Sequence, residues 1–194
     1  MKEQSKSAKR RFHNGNFHSK YFVGNGIDVG GAPDPLSNFV QIFSLMKSVR
    51  VWDLEDGDGQ YLKTIDNDQY DFLHSSHCLE HMVDPYVALE NWIRVVKPGG
   101  HLIITIPDED MYEQGIWPSN KNADHKWTFT MYKENSWCEK SINVLHLLAS
   151  VGSKAQVQKL ELVTDFFYQN LKKGLDQTIL PNTESAIEII LKVL

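Results

Sequence analysis

The sequence predicts an α/β protein in which a mostly parallel β-sheet lies between layers of helices. Short β-branched runs alternate with segments whose apolar residues recur every three or four positions. One helical segment has both a start signal, Asp84-Pro85, and a stop signal, Lys97-Pro98-Gly99-Gly100. The run 102–106 is continuously apolar, as expected for a strand covered on both faces. Strands and helices that alternate at short intervals predict a parallel sheet with helices on both faces.

The individual elements follow from the same patterns. We expect strands at 26–30, 49–53, 70–74 and 102–106, and another that begins at Ala155. We expect helices at 36–48, after Pro85, and at 136–150. The last segment, 183–194, fits both an amphipathic helix and an alternating strand, and we favour the helix. Its apolar side must be buried in this chain or against a partner, so a homodimer is one option.

Composition limits the class of protein. The chain has 194 residues, of which 41% are hydrophobic and 23% charged, with a formal net charge of −5 and two cysteines. These values predict one globular domain in a reducing, cytoplasmic compartment, with no general attraction to nucleic acid or to a membrane surface. The stretch 1–20 is polar and basic, and we expect it to be a solvated tail and not a secretory signal. We therefore divide the chain into this tail, a domain at 21–166 and a C-terminal extension at 167–194.

The chemistry is expected where the parallel strands end, because ligands bind there in open α/β sheets. Gly30 and Gly31 follow the first strand, where glycine permits a sharp turn and a close approach of a ligand. Asp53 follows the second strand, where a carboxylate can accept both hydroxyls of a ribose. Few residues separate Asp53 from Asp58, too few for a helical crossover, so the third strand is expected to be short or missing.

The strand at 70–74 is followed by the pattern His-x-x-Glu-His, formed by His77, Glu80 and His81. This pattern is typical of inverted zinc peptidases, in which a helix places both histidines on one face. It directly follows a strand in the middle of the α/β alternation, which disfavours that interpretation, and we assign no metal. His77 is expected to face the ligand cleft, and His81 to pack at the edge of the sheet.

A long polar loop, 108–130, follows the run 102–106 and is expected to cover the substrate as a lid. It contains His125, which could act as a general base because the ordinary pKa of histidine lies near neutrality.

Together these residues resemble class I S-adenosylmethionine-dependent methyltransferases. The markers are Gly26–Gly31, Asp53, Asp58-Gly59, the stretch 70–81 and the stretch 95–102. The resemblance runs from about Tyr21 to about Val163. It departs from the family where Ala32 and Pro33 replace the later glycines of the first turn. The resemblance implies a Rossmann-like three-layer sandwich and S-adenosyl-L-methionine as the cofactor.

The resemblance also implies roles for residues. The methionine part of the cofactor would lie along Asp28, Gly30 and Gly31, and Asp53 would accept the ribose hydroxyls. The full set of implied cofactor contacts is Asp28, Gly30, Gly31, Asp53, Leu54, Asp58, Gly59, Ser76 and His77. His77 and His125 are the candidate catalytic residues. The expected acceptor is a small molecule or a sugar-like compound.

Two other functions share some of these features. A nicotinamide-dependent oxidoreductase would also use a glycine turn and a ribose-binding acid, although the chain lacks a full Gly-x-Gly-x-x-Gly. A non-catalytic cofactor-binding module would explain the shortened sheet and the altered glycine turn.

Overall fold

The computed structural model describes residues 2–172 and 174–194. It is an α/β fold built on one six-stranded sheet, in the order β2-β1-β3-β4-β8-β7, with a separate pair formed by β5 and β6. The strands are β1 (Gly24–Val29), β2 (Met46–Trp52), β3 (Tyr70–Ser76), β4 (Val96–Pro107), β5 (Thr128–Thr130), β6 (Ser141–Asn143), β7 (Ala155–Val163) and β8 (Ala186–Val193). The α-helices are α1 (Glu3–Phe12), α2 (Pro85–Arg94) and α3 (Val144–Ser150).

The first four strands of the sheet are parallel, and the last two are antiparallel to their neighbours. In register, Val29 lies opposite both Trp52 and Ser75, and Ser75 lies opposite Ile104. The carboxyl ends of β1, β2, β3 and β4 therefore meet at one edge. Residues 53–69 form only turns, so no strand lies between β2 and β3, where a short or missing strand was expected.

Two apolar cores cover the two faces of the sheet. The larger core packs α2 and α3 against one face, with Trp92 and Leu147 fully buried. The smaller core is mostly aromatic and includes Phe22, Phe43 and Phe72 on the other face. Asp84 caps α2 by accepting hydrogen bonds from the backbone N–H groups of Tyr86 and Val87, which confirms the predicted helix start.

Two of the predicted helices are much shorter than expected. Only 36–39 forms a helical turn, and β2 already begins at Met46. The apolar side chains between β1 and β2, such as Leu36 and Phe43, still pack in the smaller core, although most of this segment is not helical. In the segment 136–150, the helix begins at Val144, because Asn143 is its cap and accepts from the N–H of Leu145 at 2.9 Å.

The C-terminal segment is the strand β8 and not the helix that we favoured. It pairs with β4 on one side and β7 on the other, so its backbone groups are satisfied by the sheet. Ile187, Ile189 and Leu191 are buried in the larger core and Ile190 in the smaller one. Since the chain itself buries this segment, its apolar side no longer argues for a homodimer.

The N-terminal segment is also ordered, where a solvated tail was expected. Helix α1 packs on the sheet, and its residues Gln4, Lys6, Ser7, Ala8 and Arg11 are buried. Arg11 is fully buried because Glu188 of β8 lies 2.7 Å from its Nη2 atom. Across the described ranges, no helix is both long and apolar enough to cross a membrane.

Candidate active site

Two adjoining cavities lie at the carboxyl edge of the parallel strands. The larger has a volume of about 810 Å³, and the smaller of about 230 Å³. Gly30, Ala32, His77 and His81 line both. The position is the one expected for ligand binding in open α/β sheets.

The glycine turn after β1 forms the wall between the cavities. Gly30 has a φ of +73°, a left-handed conformation that glycine adopts without strain. A Cβ atom on Gly30 would lie 2.5 Å from Sγ of Cys78, and one on Gly31 would lie 2.5 Å from Oδ2 of Asp28. Only glycine fits at these two positions, so the backbone itself lines the cavities.

Asp53 stands at the end of β2, in the larger cavity. One carboxylate oxygen accepts a hydrogen bond from the N–H of Ala32 at 3.0 Å, and the other from the N–H of Leu54 at 2.8 Å. These bonds fix the carboxylate across the glycine turn. Each oxygen of a carboxylate can accept more than one bond, so Asp53 retains capacity for ligand hydroxyls.

Leu54, Asp58 and Gly59, which the resemblance implies as cofactor contacts, also line the larger cavity. Asp58 accepts a hydrogen bond from the N–H of Gln60 at 2.8 Å. Leu54 is 92% exposed at the rim. Trp52, Met82 and Val83 provide apolar surface that the sequence did not single out.

Asp28 and Gly31 line the smaller cavity instead. Asp28 is only 1% exposed, and both of its oxygens are bonded within the chain. They lie 2.6 Å from Nδ1 of His74 and 2.7 Å from the N–H of Leu36. Burial lowers the pKa of His74, and the negative charge of Asp28 opposes that shift. Asp28 therefore holds the glycine turn and His74 in place.

His77 lies where the two cavities meet. Its φ of +52° is unusual for a residue other than glycine, and its N–H donates to the carbonyl oxygen of Thr105 at 2.9 Å. Burial lowers the pKa of His77 to about 3, with a further contribution from the charge of His125. The neighbouring Ser76 has a buried hydroxyl with no hydrogen-bond partner among the described residues.

His125 reaches the smaller cavity from the loop after β4, as a lid residue would. Its Nδ1 atom lies 2.7 Å from a carboxylate oxygen of Glu113, in the π-helical turn 109–113 of the same loop. A carboxylate only accepts hydrogen bonds, so Nδ1 is the donor to Glu113 and Nε2 is the ring nitrogen left for a ligand. The ring centroid of Tyr112 lies 5.3 Å from that of His125.

Glu80 is the residue that the sequence-based assignment missed at this site. It is fully buried, and neither carboxylate oxygen has a hydrogen-bond partner among the described residues. Burial raises the pKa of Glu80 to about 7, and the charge of His125 opposes that rise. Its Oε1 atom is 3.7 Å from Nδ1 of His77 and 3.8 Å from Nε2 of His125. The His-x-x-Glu-His pattern is the feature of the sequence that could have pointed to Glu80.

Helix α1 closes the smaller cavity with Glu3 and Gln4. The side-chain nitrogen of Gln4 is buried without a hydrogen-bond partner in the described part of the chain. The sequence of α1 does not predict this position. The buried side of the helix is mostly polar, and its packing depends on the ion pair with Glu188 of the distant β8.

The larger cavity has the size and the lining expected of a site for an adenosine-containing cofactor. The cavity lies within the usual range for ligand sites, about 300–1,000 Å³. It combines a fixed carboxylate, a glycine turn and apolar surface. In S-adenosylmethionine, the carboxylate suits the ribose hydroxyls, the glycine turn suits the methionine part, and the apolar surface suits the adenine.

Comparison with protein families gives the class. The model of a methyltransferase domain matches residues 20–141, which is more than half of the 194 residues. The chain belongs to this methyltransferase family, is an enzyme of that class, and has S-adenosyl-L-methionine as its expected cofactor. The match supports the methyltransferase over both alternative functions. None of the curated proteins compared with the chain matches it.

Solved structures share the fold at low sequence identity. A SAM-dependent methyltransferase of Archaeoglobus fulgidus is 15% identical, with a TM-score of 0.57 over 99% of this chain and 94% of that one. One of Aquifex aeolicus is 12% identical, with a TM-score of 0.53 over 98% of both chains. A third match comes from a complex that contains the Trm112 methyltransferase activator of Haloferax volcanii, at 13% identity and a TM-score of 0.55, over 98% of this chain and 93% of that one.

Proposed function

We propose that this methyltransferase holds S-adenosylmethionine in the larger cavity and transfers its methyl group to a small polar acceptor in the smaller one. One observation carries the proposal: the two cavities meet at His77, and the smaller one contains buried polar atoms that no described residue satisfies. Such atoms are costly unless a ligand bonds to them. A polar acceptor would satisfy them.

The cofactor side of the proposal depends on residues at the ends of β1 and β2. Asp53 would accept the ribose hydroxyls, since Ala32 and Leu54 already fix its orientation. Leu54 and the Asp58-Gly59 turn would flank the adenine. Bound S-adenosylmethionine supplies an electrophilic methyl group on a sulfonium, so the main task of the chain is alignment of the acceptor.

The size of the smaller cavity limits the acceptor. At about 230 Å³ it is below the range of about 300 Å³ and more that is usual for ligand sites. A small molecule, or one sugar unit at the end of a larger molecule, fits this volume. The unsatisfied groups, Gln4 Nε2, Ser76 Oγ and the Glu80 carboxylate, favour an acceptor with hydroxyl or amino groups.

His125 is the candidate base of the metal-free protein. Glu113 accepts a hydrogen bond from its Nδ1 atom, which leaves Nε2 as the ring nitrogen that would take the proton that the acceptor loses. His77 is the weaker candidate, because its lowered pKa makes it a poor proton acceptor. We place His77 instead as a wall of the path between the two cavities.

Isothermal titration of the purified chain with S-adenosylmethionine, and with S-adenosylhomocysteine, tests the cofactor site. We expect saturable binding of both and a higher melting temperature with either. The absence of both heat and thermal shift at saturating cofactor would overturn the proposal.

The acceptor class is tested separately, with methyl-labelled S-adenosylmethionine and a cell extract split by size. We expect label in the small-molecule fraction. Label found only in protein or nucleic acid would contradict the acceptor class and would leave the cofactor site standing.

A further inference from the structure

A cluster of metal-ligating groups lies beside the smaller cavity. Glu80, His81 and His125 each place one donor atom within 4.8 Å of the other two. The three come from the turn after β3 and from the loop after β4. We name them the Glu80 cluster. The sequence analysis named His125 as a candidate base but did not group the three residues.

Both imidazoles of the cluster are already oriented as metal ligands usually are. Nδ1 of His125 lies 2.7 Å from Glu113, and Nδ1 of His81 lies 2.9 Å from Asp124. A histidine that binds a metal commonly donates its other ring N–H to a carboxylate, which fixes the tautomer and the plane of the ring. The Nε2 atom is therefore the nitrogen left for a ligand on each ring.

The carboxylate of Glu80 is the second, independent observation. The side chain is 0% exposed, and neither of its oxygens has a hydrogen-bond partner in the described part of the chain. The nearest basic groups are the imidazoles of His77 and His125, at 3.7 and 3.8 Å. A buried carboxylate without hydrogen bonds is unfavourable. A cation held between Glu80 and the two imidazoles of the cluster would remove that cost.

We propose that the Glu80 cluster binds a divalent transition-metal ion of the Zn²⁺ type through Glu80, His81 and His125. Two imidazoles and one carboxylate form the protein donor set of many catalytic zinc sites, which leave a further position open. Donors around a tetrahedral zinc lie about 3.4 Å apart, given bonds of about 2.0–2.1 Å. The cluster thus needs to contract by little more than an ångström.

The open position would face the smaller cavity, which is lined by all three ligands. In this respect only, the inference rests on the proposed function: a hydroxyl of the acceptor bound to the ion would lose its proton more easily. Nε2 of His125 would then be a ligand, and the ion would replace it in activating the acceptor.

Metal binding is tested without any cofactor or acceptor. The full chain is treated with chelator and titrated with Co²⁺, followed by visible absorption, and then with Zn²⁺ in competition. We expect one equivalent of Co²⁺ with intense absorption bands, displaced by Zn²⁺ and not by Mg²⁺, which prefers oxygen ligands. The absence of stoichiometric binding would overturn the inference, as would equal displacement by Mg²⁺.

Single substitutions test whether the Glu80 cluster is the site of Zn²⁺ binding. Glu80→Gln and His81→Gln should weaken Zn²⁺ binding at least a hundredfold, and Asp124→Asn about tenfold. Glu80→Gln replaces a buried carboxyl group that has no hydrogen-bond partner among the described residues, so the metal-free variant should melt no lower than the original chain. His146→Gln changes an exposed histidine and is the matched control, expected to bind Zn²⁺ normally.

Unchanged Zn²⁺ affinity in both Glu80→Gln and His81→Gln would contradict the inference. Since no cofactor is present, that result would leave methyl transfer untouched. Failure of the cofactor titration, conversely, would leave the metal site standing.

Discussion

The two cavities at the edge of the sheet are made from different parts of the chain. The larger cavity takes most of its lining from residues directly after β1, β2 and β3. The smaller cavity adds Glu3 and Gln4 from α1, and Tyr112, Asn122 and His125 from the loop after β4. The proposed cofactor side is thus formed mainly by short segments next to strands, with Asp124 and Lys126 of the loop after β4 added, and the proposed acceptor side depends on long-range packing. The following substitutions test whether cofactor binding and methyl transfer can be changed independently.

The largest effect is expected for Glu188, which attaches α1 to the sheet. Its carboxylate pairs with Arg10 at 2.9 Å, with Arg11 at 2.7 Å and with Lys159 at 2.8 Å. Glu188→Gln leaves Arg11 buried without a counter-charge, so the free energy of unfolding should fall by about 3–5 kcal/mol in urea denaturation. Glu90→Gln, in an exposed ion pair, is the control and should change it by less than about 1 kcal/mol.

Because α1 closes only the smaller cavity, Glu188→Gln should reduce methyl transfer more than it weakens cofactor binding. Equal loss of both would show that the two sides are not separable.

The same residue predicts how stability depends on pH. Burial by itself would raise the pKa of Glu188, but Arg11, Arg10 and Lys159 outweigh it and hold the pKa well below the ordinary value of 4.5. The stabilisation is therefore present above about pH 4.5 and is lost as the pH falls below that value. Denaturation of the original chain at a series of acidic pH values should show this loss, and Glu188→Gln should show a shallower slope. Parallel slopes would exclude Glu188 as the cause.

His125 tests the acceptor side alone. His125→Ala removes either the base or a metal ligand, so the rate of label transfer to the small-molecule fraction should fall about a hundredfold or more. Its cofactor affinity, measured by calorimetry, should change less than about twofold, since His125 lines only the smaller cavity. His146→Ala is the control, with normal transfer expected. Full activity of His125→Ala would remove the residue from the reaction.

The sequence was informative where the determinants are local. Gly30 and Asp53 were predicted to lie at a ligand cleft because a glycine turn and an acidic residue directly follow strands, and both line the larger cavity. The sequence was less informative where contacts with distant segments determine the structure of a residue or segment. The alternation of 186–193 suited a strand, but only pairing with β4 and β7 distinguishes it from a helix. Glu80 stood in a recognised pattern, yet its significance depends on Glu113 and Asp124, which pair with the neighbouring histidines through tertiary contacts.

Asp53 tests the cofactor side alone. Asp53→Ala removes the proposed acceptor of the ribose hydroxyls, so the dissociation constant of S-adenosylmethionine should rise at least about tenfold in calorimetry. Glu55→Ala removes the same charge two positions away on an exposed side chain and should leave that constant unchanged. Zn²⁺ binding should be the same in both variants. An unchanged affinity in Asp53→Ala would reject the ribose assignment.

The smallest effect is expected at the rim of the larger cavity. Leu54 is 92% exposed, so it contributes little to the folded protein until a ligand covers it. Covering part of such a side chain is worth about 0.5–1 kcal/mol, and Leu54→Ala should therefore weaken cofactor binding about two- to fivefold with no change in melting temperature. Ile179→Ala, at another exposed apolar residue, should change neither. If Leu54→Ala bound the cofactor normally, the adenine would have to lie deeper, against Trp52 and Met82, and the rim would not belong to the site.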